Sequence, residues 1–207
     1  MQTVRGDQAS VERRLCRGLL RCACSGVLGP WGWARERVVR SLAGVAAVTP
    51  RRGRCRVCRA THVLLPVWLF VRRRFAGVLI WVCVLARVAG SKIAAIGARF
   101  GLRASTVASW LRRVTGRAEW WRQVLMEVLT LVDPRVRRFV PAGSALGDAV
   151  AVLDAVLAAL HGRDAQLATL TAWELASHLT RAHLFAPFLD LDRCNTSVVG
   201  MPSSAYS

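Results

Sequence analysis

Four of the seven cysteines form two close pairs, a spacing in which protein thiolates bind a metal ion. Cys55 and Cys58 have two residues between them, which lets both sulfurs reach one tetrahedral Zn²⁺. Cys22 and Cys24 are separated by one residue, one fewer than is usual in such sites. We predict that Cys22, Cys24, Cys55 and Cys58 bind a structural zinc, because four thiolates leave no position open for water.

The remaining cysteines and one histidine leave the ligand set open. Cys16 or His62 is an alternative to one of the four thiolates. A metal-free ribbon whose cysteines are simply small buried groups is the alternative to zinc binding. An odd cysteine count without a secretory signal argues against a disulfide framework, so we predict a cytoplasmic protein with free or metal-bound thiols. Cys83 and Cys194 are assigned no role.

A second candidate site is the segment from residue 91 to residue 113, whose pattern is typical of a helix-turn-helix. We predict that Ser91 caps its first helix and that Gly101 leaves that helix with a positive φ angle. Gly97 is small where two helices must cross closely, and Leu102 is expected to fill the corner between them.

The second helix of this motif is predicted to start at Ser105 or Thr106, with Val107, Trp110 and Val114 facing inward. Short hydroxyl side chains permit close approach to the major groove, and arginine pairs with guanine edges or with phosphates. A basic, solvated helical hairpin without a ligand is the competing interpretation. The predicted DNA-binding residues are Arg103, Ser105, Thr106, Ser109, Arg112 and Arg113.

The elements that position these residues are predicted from apolar periodicity and from the proline and glycine positions. We expect a mainly α protein, with a small N-terminal zinc-ribbon-like β element, a tri-helical helix-turn-helix domain and C-terminal helices. The predicted divisions are a basic leader at 1–20, the ribbon at 21–66, the helix-turn-helix domain at 67–133, C-terminal helices at 134–190 and a disordered tail at 191–207. The predicted helices are 10–20, 75–89, 91–100, 104–114, 118–132, 146–160 and 171–184, with short strands within 37–48 and at 61–65.

The positive charge is concentrated in the first 125 residues, which hold 24 basic and 4 acidic side chains. The remaining residues hold 6 basic and 8 acidic side chains. This asymmetry predicts a module that binds a polyanion (DNA, RNA or an anionic membrane) joined to a packing or assembly module. The apolar run at 75–86 is shorter than the ~20 residues of a membrane span, so we predict a buried helix and no membrane association.

Basic and aromatic side chains also surround the cysteine pairs. They are typical of a surface that grips phosphates or stacks on unpaired bases. The alternative is that the two tryptophans pack inside a small ribbon core. The residues are Trp31, Trp33, Arg35, Arg37, Arg40, Arg51, Arg52, Arg54, Arg56 and Arg59.

Three segments together resemble an uncharacterised family of high-GC bacteria, a domain of unknown function. They are the Pro-Trp-Gly-Trp-Ala-Arg string at 30–35, the run from Arg54 to Pro66, and the Ser-Thr-Val-Ala-Ser-Trp-Leu-Arg-Arg string at 105–113. That family is similar to the DNA-binding front end of insertion-sequence transposases, with a zinc ribbon followed by a helix-turn-helix. The resemblance covers roughly residues 20–185 and implies DNA binding and a link to mobile elements, but no reaction. The single residue between Cys22 and Cys24 departs from the family pattern.

The acidic and histidine residues do not predict a catalytic centre. Strand transfer needs three carboxylates that converge on divalent metal ions, whereas these lie in helical or loop patterns without alternating strands. His178 and His183 are five residues apart and so do not share a helix face. We therefore predict that the protein is not an enzyme and has no small-molecule substrate. The carboxylates considered are Asp133, Asp148, Asp154, Asp164, Glu174, Asp190 and Asp192.

The sequence thus predicts a protein that binds double-stranded DNA, as a regulator or as the targeting part of a transposition system. Homodimerisation would let one short recognition helix gain affinity from two half-sites, although an intramolecular core is the expected use of the C-terminal leucine stripes. Two alternatives stay open. One is a complete transposase or nuclease, and the other is an interaction protein at a membrane surface that binds no nucleic acid.

Overall fold

The computed structural model describes residues 2–4, 7–69, 74–135, 140–163 and 167–180. Within these residues the chain forms six strands and seven helices. The strands are β1 (Gln2–Val4), β2 (Leu28–Trp33), β3 (Arg37–Ser41), β4 (Gly44–Val48), β5 (Arg51–Cys55) and β6 (Thr61–Pro66). The helices are α1 (Gln8–Cys16), α2 (Gly77–Val88), α3 (Ile93–Arg99), α4 (Ala104–Thr115), α5 (Ala118–Val132), α6 (Ala145–Arg163) and α7 (Ala172–Leu179).

The expectation of a mainly α protein with a small β element is wrong, because the described fold is mixed. Four strands form one sheet in the order β1-β6-β5-β2, in which β1 runs parallel to β6 and the other neighbours are antiparallel. Strands β3 and β4 form a separate antiparallel hairpin. The sequence signal missed β2 and β5 because glycine, proline and arginine occupy positions where strands usually carry β-branched or aromatic residues.

Helix α1 covers one face of the sheet and makes a small core with it. Asp7 caps the helix, since its Oδ1 accepts a hydrogen bond from the Ser10 N–H at 2.7 Å. The segment predicted as a basic leader thus contributes both β1 and α1 to this core. We call β1, α1, β2, β5, β6 and their connecting turns the N-terminal unit (2–4, 7–33 and 51–66). Its buried residues are Val4, Val11, Leu15, Leu20, Cys22, Leu28, Cys55 and Leu64.

The larger core lies among helices α2–α7 and also takes in the β3–β4 hairpin and Leu65 of β6. Helix α5 occupies the residues predicted from the sequence, and α2, α3 and α4 agree with prediction to within two residues at each end. The leucine stripe of α6 is largely buried in this core, which agrees with the expected intramolecular use. The predicted end of the last helix and the predicted tail lie outside the described residues.

Among the described helices, α6 is long and apolar enough to cross a membrane. Its buried residues belong to the larger core, and buried core helices of soluble proteins pass the same test of length and composition. The test is therefore weak evidence for a membrane span.

The connection between α3 and α4 is a tight turn. Gly101 has a φ angle of +61°, as predicted, and a Cβ on Gly97 would lie 2.8 Å from the carbonyl oxygen of Leu102. The prediction that Ser91 caps α3 is wrong, because the helix begins two residues later with Lys92 at its N-cap. Helix α4 begins at Ala104, before the hydroxyl residues that were expected to start it.

Candidate metal centre and arginine-rich surfaces

The two cysteine pairs meet at one end of the sheet. The sulfurs of Cys22, Cys24, Cys55 and Cys58 all lie within 4.8 Å of one another. The Sγ atoms of Cys22 and Cys58 are 3.6 Å apart, and those of Cys24 and Cys55 are 3.5 Å apart. Tetrahedral coordination with Zn–S bonds of about 2.3 Å places sulfurs about 3.8 Å apart, so these residues fit a metal ion.

Both cysteine pairs end in the same strained backbone conformation. Ser25 follows Cys24 with a φ angle of 64°, and Arg59 follows Cys58 with a φ angle of 62°. Among the residues that the structure describes, Ser25 and Arg59 are the only non-glycine residues with a positive φ angle. Left-handed backbone costs an ordinary residue about 1–2 kcal/mol, and such strain persists where the surrounding structure requires it. The same positive φ angle therefore follows each cysteine pair, despite the shorter spacing of the first pair.

Backbone N–H groups point at the sulfur that closes each turn. The N–H of Gly26 is the largest of several causes, including contacts with neighbouring sulfurs, that lower the pKa of Cys24 to about 6. The N–H of Ala60 acts in the same direction on Cys58, but the three neighbouring sulfurs outweigh it and raise the pKa of Cys58 to about 12. The opposite shifts of Cys24 and Cys58 show that these neighbouring thiols affect one another's ionisation, and metal binding to such a group requires thiolates.

Gly26 allows the first turn to approach the second. A Cβ at this position would lie 2.6 Å from the Sγ of Cys55 and 2.9 Å from a methyl group of Val57. Neither contact is possible for a real side chain without displacing the buried sulfur. We call the four cysteines (Cys22, Cys24, Cys55 and Cys58) the four-cysteine group. Their close approach thus depends on glycine at position 26.

The structure separates the two alternative ligands considered from the sequence. The Nε2 atom of His62 lies 3.2 Å from the Sγ of Cys22, where its N–H can donate to a thiolate. Burial lowers the pKa of His62, which favours the neutral ring that a metal ligand requires. Cys16 is exposed on α1, donates to Glu12 and stands outside the group. Cys194 lies outside the described residues.

Helix α4 presents the predicted DNA-binding residues on one side and is anchored on the other. Its buried residues are Val107, Trp110, Leu111 and Val114, and the ring of Trp110 packs edge-on against Phe75 at 4.9 Å between centroids. Of the predicted contacts, Arg103, Ser105 and Arg112 are exposed, whereas Thr106, Ser109 and Arg113 are partly buried.

The sequence segment that contains α4 is rich in basic residues. Residues 37–118 contain 17 lysines and arginines and no aspartate or glutamate. Burial lowers the pKa of Arg117, and the charge of Arg113 lowers it further. Arg113 in the last turn of α4 and Arg117 just after it therefore lie close enough for their charges to interact.

Arg40 is a positioning residue, which is a different role from the one predicted for it from the sequence. Its guanidinium donates to the carbonyl oxygens of Gly101 at 2.9 Å and Phe100 at 3.1 Å, where α3 ends. Its backbone N–H donates to Arg74 and its carbonyl accepts from Ala76, just before α2. Arg40 thus joins the β3–β4 hairpin to the α3–α4 turn, instead of standing free to grip phosphate as predicted.

The two tryptophans of β2 are about half exposed, so they do not fill a ribbon core. The guanidinium of Arg54 lies 4.3 Å from the ring centre of Trp31, and that of Arg51 lies 4.5 Å from the ring centre of Trp33. Arg51 also forms an ion pair of 2.6 Å with Glu12 of α1. The charge of Arg51 is therefore paired with a carboxylate inside the N-terminal unit.

In the described part of the chain, the four cysteines are the one group of three or more potential ligands placed to hold a metal. Glu174 is used in the capping box of α7 with Thr171, and Asp148 accepts from the N–H of Ala142. Burial raises the pKa of Asp154, which lies on α6. Asp164, Asp190, Asp192 and His183 lie outside the described residues.

No family model matches the chain, and comparison with curated proteins and with solved structures likewise gives no match. The resemblance to a transposase-associated family stays a prediction.

Proposed function

We propose that the protein binds double-stranded DNA through the exposed side of α4 and is not an enzyme. The observation that carries the proposal is the pairing of short hydroxyl residues and arginines on one side of a helix whose other side is fixed in the apolar core. This combination suits the major groove, because small side chains admit the helix while arginines reach bases and phosphates.

The residues of α4 divide into two roles in this proposal. Three residues are placed to contact base edges. Arg103 is at the N-cap, and Ser105 and Ser109 are four residues apart and so share one face of the helix. Arg112 and Arg113 in the last turn contact phosphates, which fixes the orientation of the helix without specifying sequence. The bonds from Arg40 to the end of α3 hold the turn in place and so support the angle at which α4 is presented.

In the same proposal the metal is zinc, and its role is structural. Four thiolates are the typical donor set of a closed structural zinc site, which cross-links segments that a small core cannot hold by itself. A zinc with four thiolates carries a net charge of −2, and the second cysteine pair lies in an arginine-rich segment of the sequence.

We also propose that the chain forms a homodimer, which would raise its affinity for DNA. One short recognition helix makes few contacts, and two linked half-sites raise the effective concentration of the second helix. The amino-acid sequence does not distinguish a regulator from the targeting part of a transposition system. Both roles require the same DNA contact.

The test compares binding of the zinc-loaded full chain to a selected duplex and to a random duplex of equal length. We expect preference for the selected site, and affinity that falls steeply with salt. Arg103→Ala and Ser109→Ala should reduce the preference by about 1–3 kcal/mol per lost base contact. Arg112→Ala should weaken both duplexes equally and lower the salt slope by about one.

Arg135→Ala is the matched control, because Arg135 is exposed beyond the end of α5 and is not among the predicted DNA contacts. Sequence preference that survives both Arg103→Ala and Ser109→Ala would show that α4 is not the reading helix. Cleavage or joining of DNA in the presence of Mg²⁺ would instead establish the enzyme alternative.

A further inference from the structure

The sheet of the N-terminal unit has a second face that α1 does not cover. In β5, a Cβ on Gly53 would contact Leu15 and Leu28, so Gly53 faces α1. Because side chains alternate along a strand, Arg52 and Arg54 point to the opposite side. Their partners on β6, Val63 and Thr61, share that side, which we call the outer face.

A bulge in β2 brings one tryptophan to the outer face. The pairing of β2 with β5 shifts between Pro30 and Gly32, which leaves Trp31 as the extra residue. Trp31 lies against the guanidinium of Arg54 on the outer face, whereas Trp33 lies against Arg51 on the α1 side. Trp31 remains 53% exposed, so its ring is accessible beside the arginines.

A third arginine extends this surface. The guanidinium of Arg56 lies 3.5 Å from the position of a Cβ on Gly29, which pairs with Arg54 and shares its face. Alternate residues of a strand are about 6.6 Å apart, which is the spacing expected for Arg52 and Arg54 on β5, and Arg56 continues the row in the turn that follows the strand. Such a row resembles the repeat of phosphates along an extended nucleic-acid strand.

Three of the four carboxylates among the first 125 residues have partners away from the outer face. Asp7 caps α1, Glu12 pairs with Arg51 on the α1 side, and Glu119 pairs with Arg122 of α5. The remaining one, Glu36, follows β2 in the loop to β3. The outer face is therefore a basic surface with an exposed indole, complementary in charge to a polyanion.

We propose that the outer face binds single-stranded nucleic acid, with Trp31 stacked on an unpaired base and Arg52, Arg54 and Arg56 on the phosphates. Arg54 already lies against Trp31 and fixes the ring, and its Nε also donates to the carbonyl of Arg59 at 3.2 Å. Stacking accepts any base, so this site binds with little sequence preference. It is separate from α4 and does not require the duplex contact proposed above.

The experiment measures fluorescence anisotropy of labelled oligothymidylate and oligouridylate of 20 nucleotides with the zinc-loaded full chain. Trp31→Ala should weaken binding about 5- to 150-fold, the range expected for one lost stack, while Trp31→Phe retains most of the affinity. Trp33→Ala is the matched control, since this tryptophan is 48% exposed but lies on the α1 side, and it should leave affinity unchanged. The ratio between the two oligonucleotides tells whether DNA or RNA is the preferred strand.

Equal losses in Trp31→Ala and Trp33→Ala, or no loss in Trp31→Ala, would overturn the proposal, as would absence of single-strand binding by the wild type. Ser109→Ala separates the two sites. It should leave oligothymidylate binding intact while reducing duplex preference, so failure of the α4 contact and failure of the outer face are distinguishable. Zinc content and circular dichroism of each variant confirm that the N-terminal unit is folded.

Discussion

Replacement of Cys58 by serine tests the metal centre most sharply. Cys58 is an exposed member of the four-cysteine group, so the substitution leaves no cavity in the core. The small core has eight buried members, of which Cys22 and Cys55 belong to the four-cysteine group, so few apolar side chains remain to hold the unit together. We expect the N-terminal unit to unfold in Cys58→Ser while the larger core of α2–α7 stays folded.

The size of the effect follows from the strain and from the metal. Ser25 and Arg59 each hold a left-handed conformation that costs about 1–2 kcal/mol, which the folded unit must offset. Structural zinc contributes roughly 10–16 kcal/mol of apparent binding free energy at pH 7, comparable with the whole stability of a typical domain at about 5–15 kcal/mol. Loss of the metal therefore removes most of the free energy that keeps this unit folded.

The assay combines zinc content with hydrogen exchange of the full chain. Wild type should bind one zinc per chain, and chelation or Cys58→Ser should abolish protection of β5 and β6 while α5 and α6 remain protected. Cys16→Ser is the matched control, because Cys16 is equally exposed but lies outside the group. Stoichiometric zinc in Cys58→Ser, or loss of zinc in Cys16→Ser, would refute the assignment of ligands.

Three further predictions test the positioning of the two sites. Arg40→Ala removes two hydrogen bonds to the end of α3, so the free energy of unfolding in urea should fall by about 1–3 kcal/mol, and an unchanged midpoint would contradict this. The hydrogen bond from Arg51 lowers the pKa of Glu12, so ionised Glu12 stabilises the fold above the ordinary carboxyl pKa of about 4.3 and the stabilisation is lost as pH falls through the lowered value. Glu12→Gln should therefore flatten the acid limb of a plot of melting temperature against pH, and a limb as steep as that of wild type would exclude this role. Gly26→Ala should reduce zinc affinity about 10-fold or more in chelator competition, because its Cβ meets the Cys55 sulfur, and wild-type affinity would show that the turn adapts.

The helices were predictable because their apolar spacing and their boundaries coincide. Helix α5 begins after Gly116 and Arg117 and ends before Pro134, and its buried residues recur every three or four positions. The positive φ of Gly101 was likewise predictable, since a chain that leaves a helix at a glycine commonly adopts that conformation.

The sheet could be predicted only in part because its strands depend on their neighbours. Strand β5 carries three arginines and a glycine among five residues, and it is a strand because β2 and β6 supply its hydrogen-bond partners. The bulge at Trp31 could not be predicted from the sequence. On a regular strand Trp31 and Trp33, two residues apart, would share a face. The meeting of the cysteine pairs was predictable from spacing, whereas the matching left-handed turns after each pair required the structure.

The most direct test of the α4 proposal is selection of bound duplexes from a random pool, performed in parallel with wild type, Ser109→Ala and Arg103→Ala at one salt concentration. We predict that wild type enriches a single motif and that each variant relaxes that motif at one or two positions only. Enrichment of no motif by wild type, or the same motif at full strength in both variants, would contradict recognition of DNA by this helix.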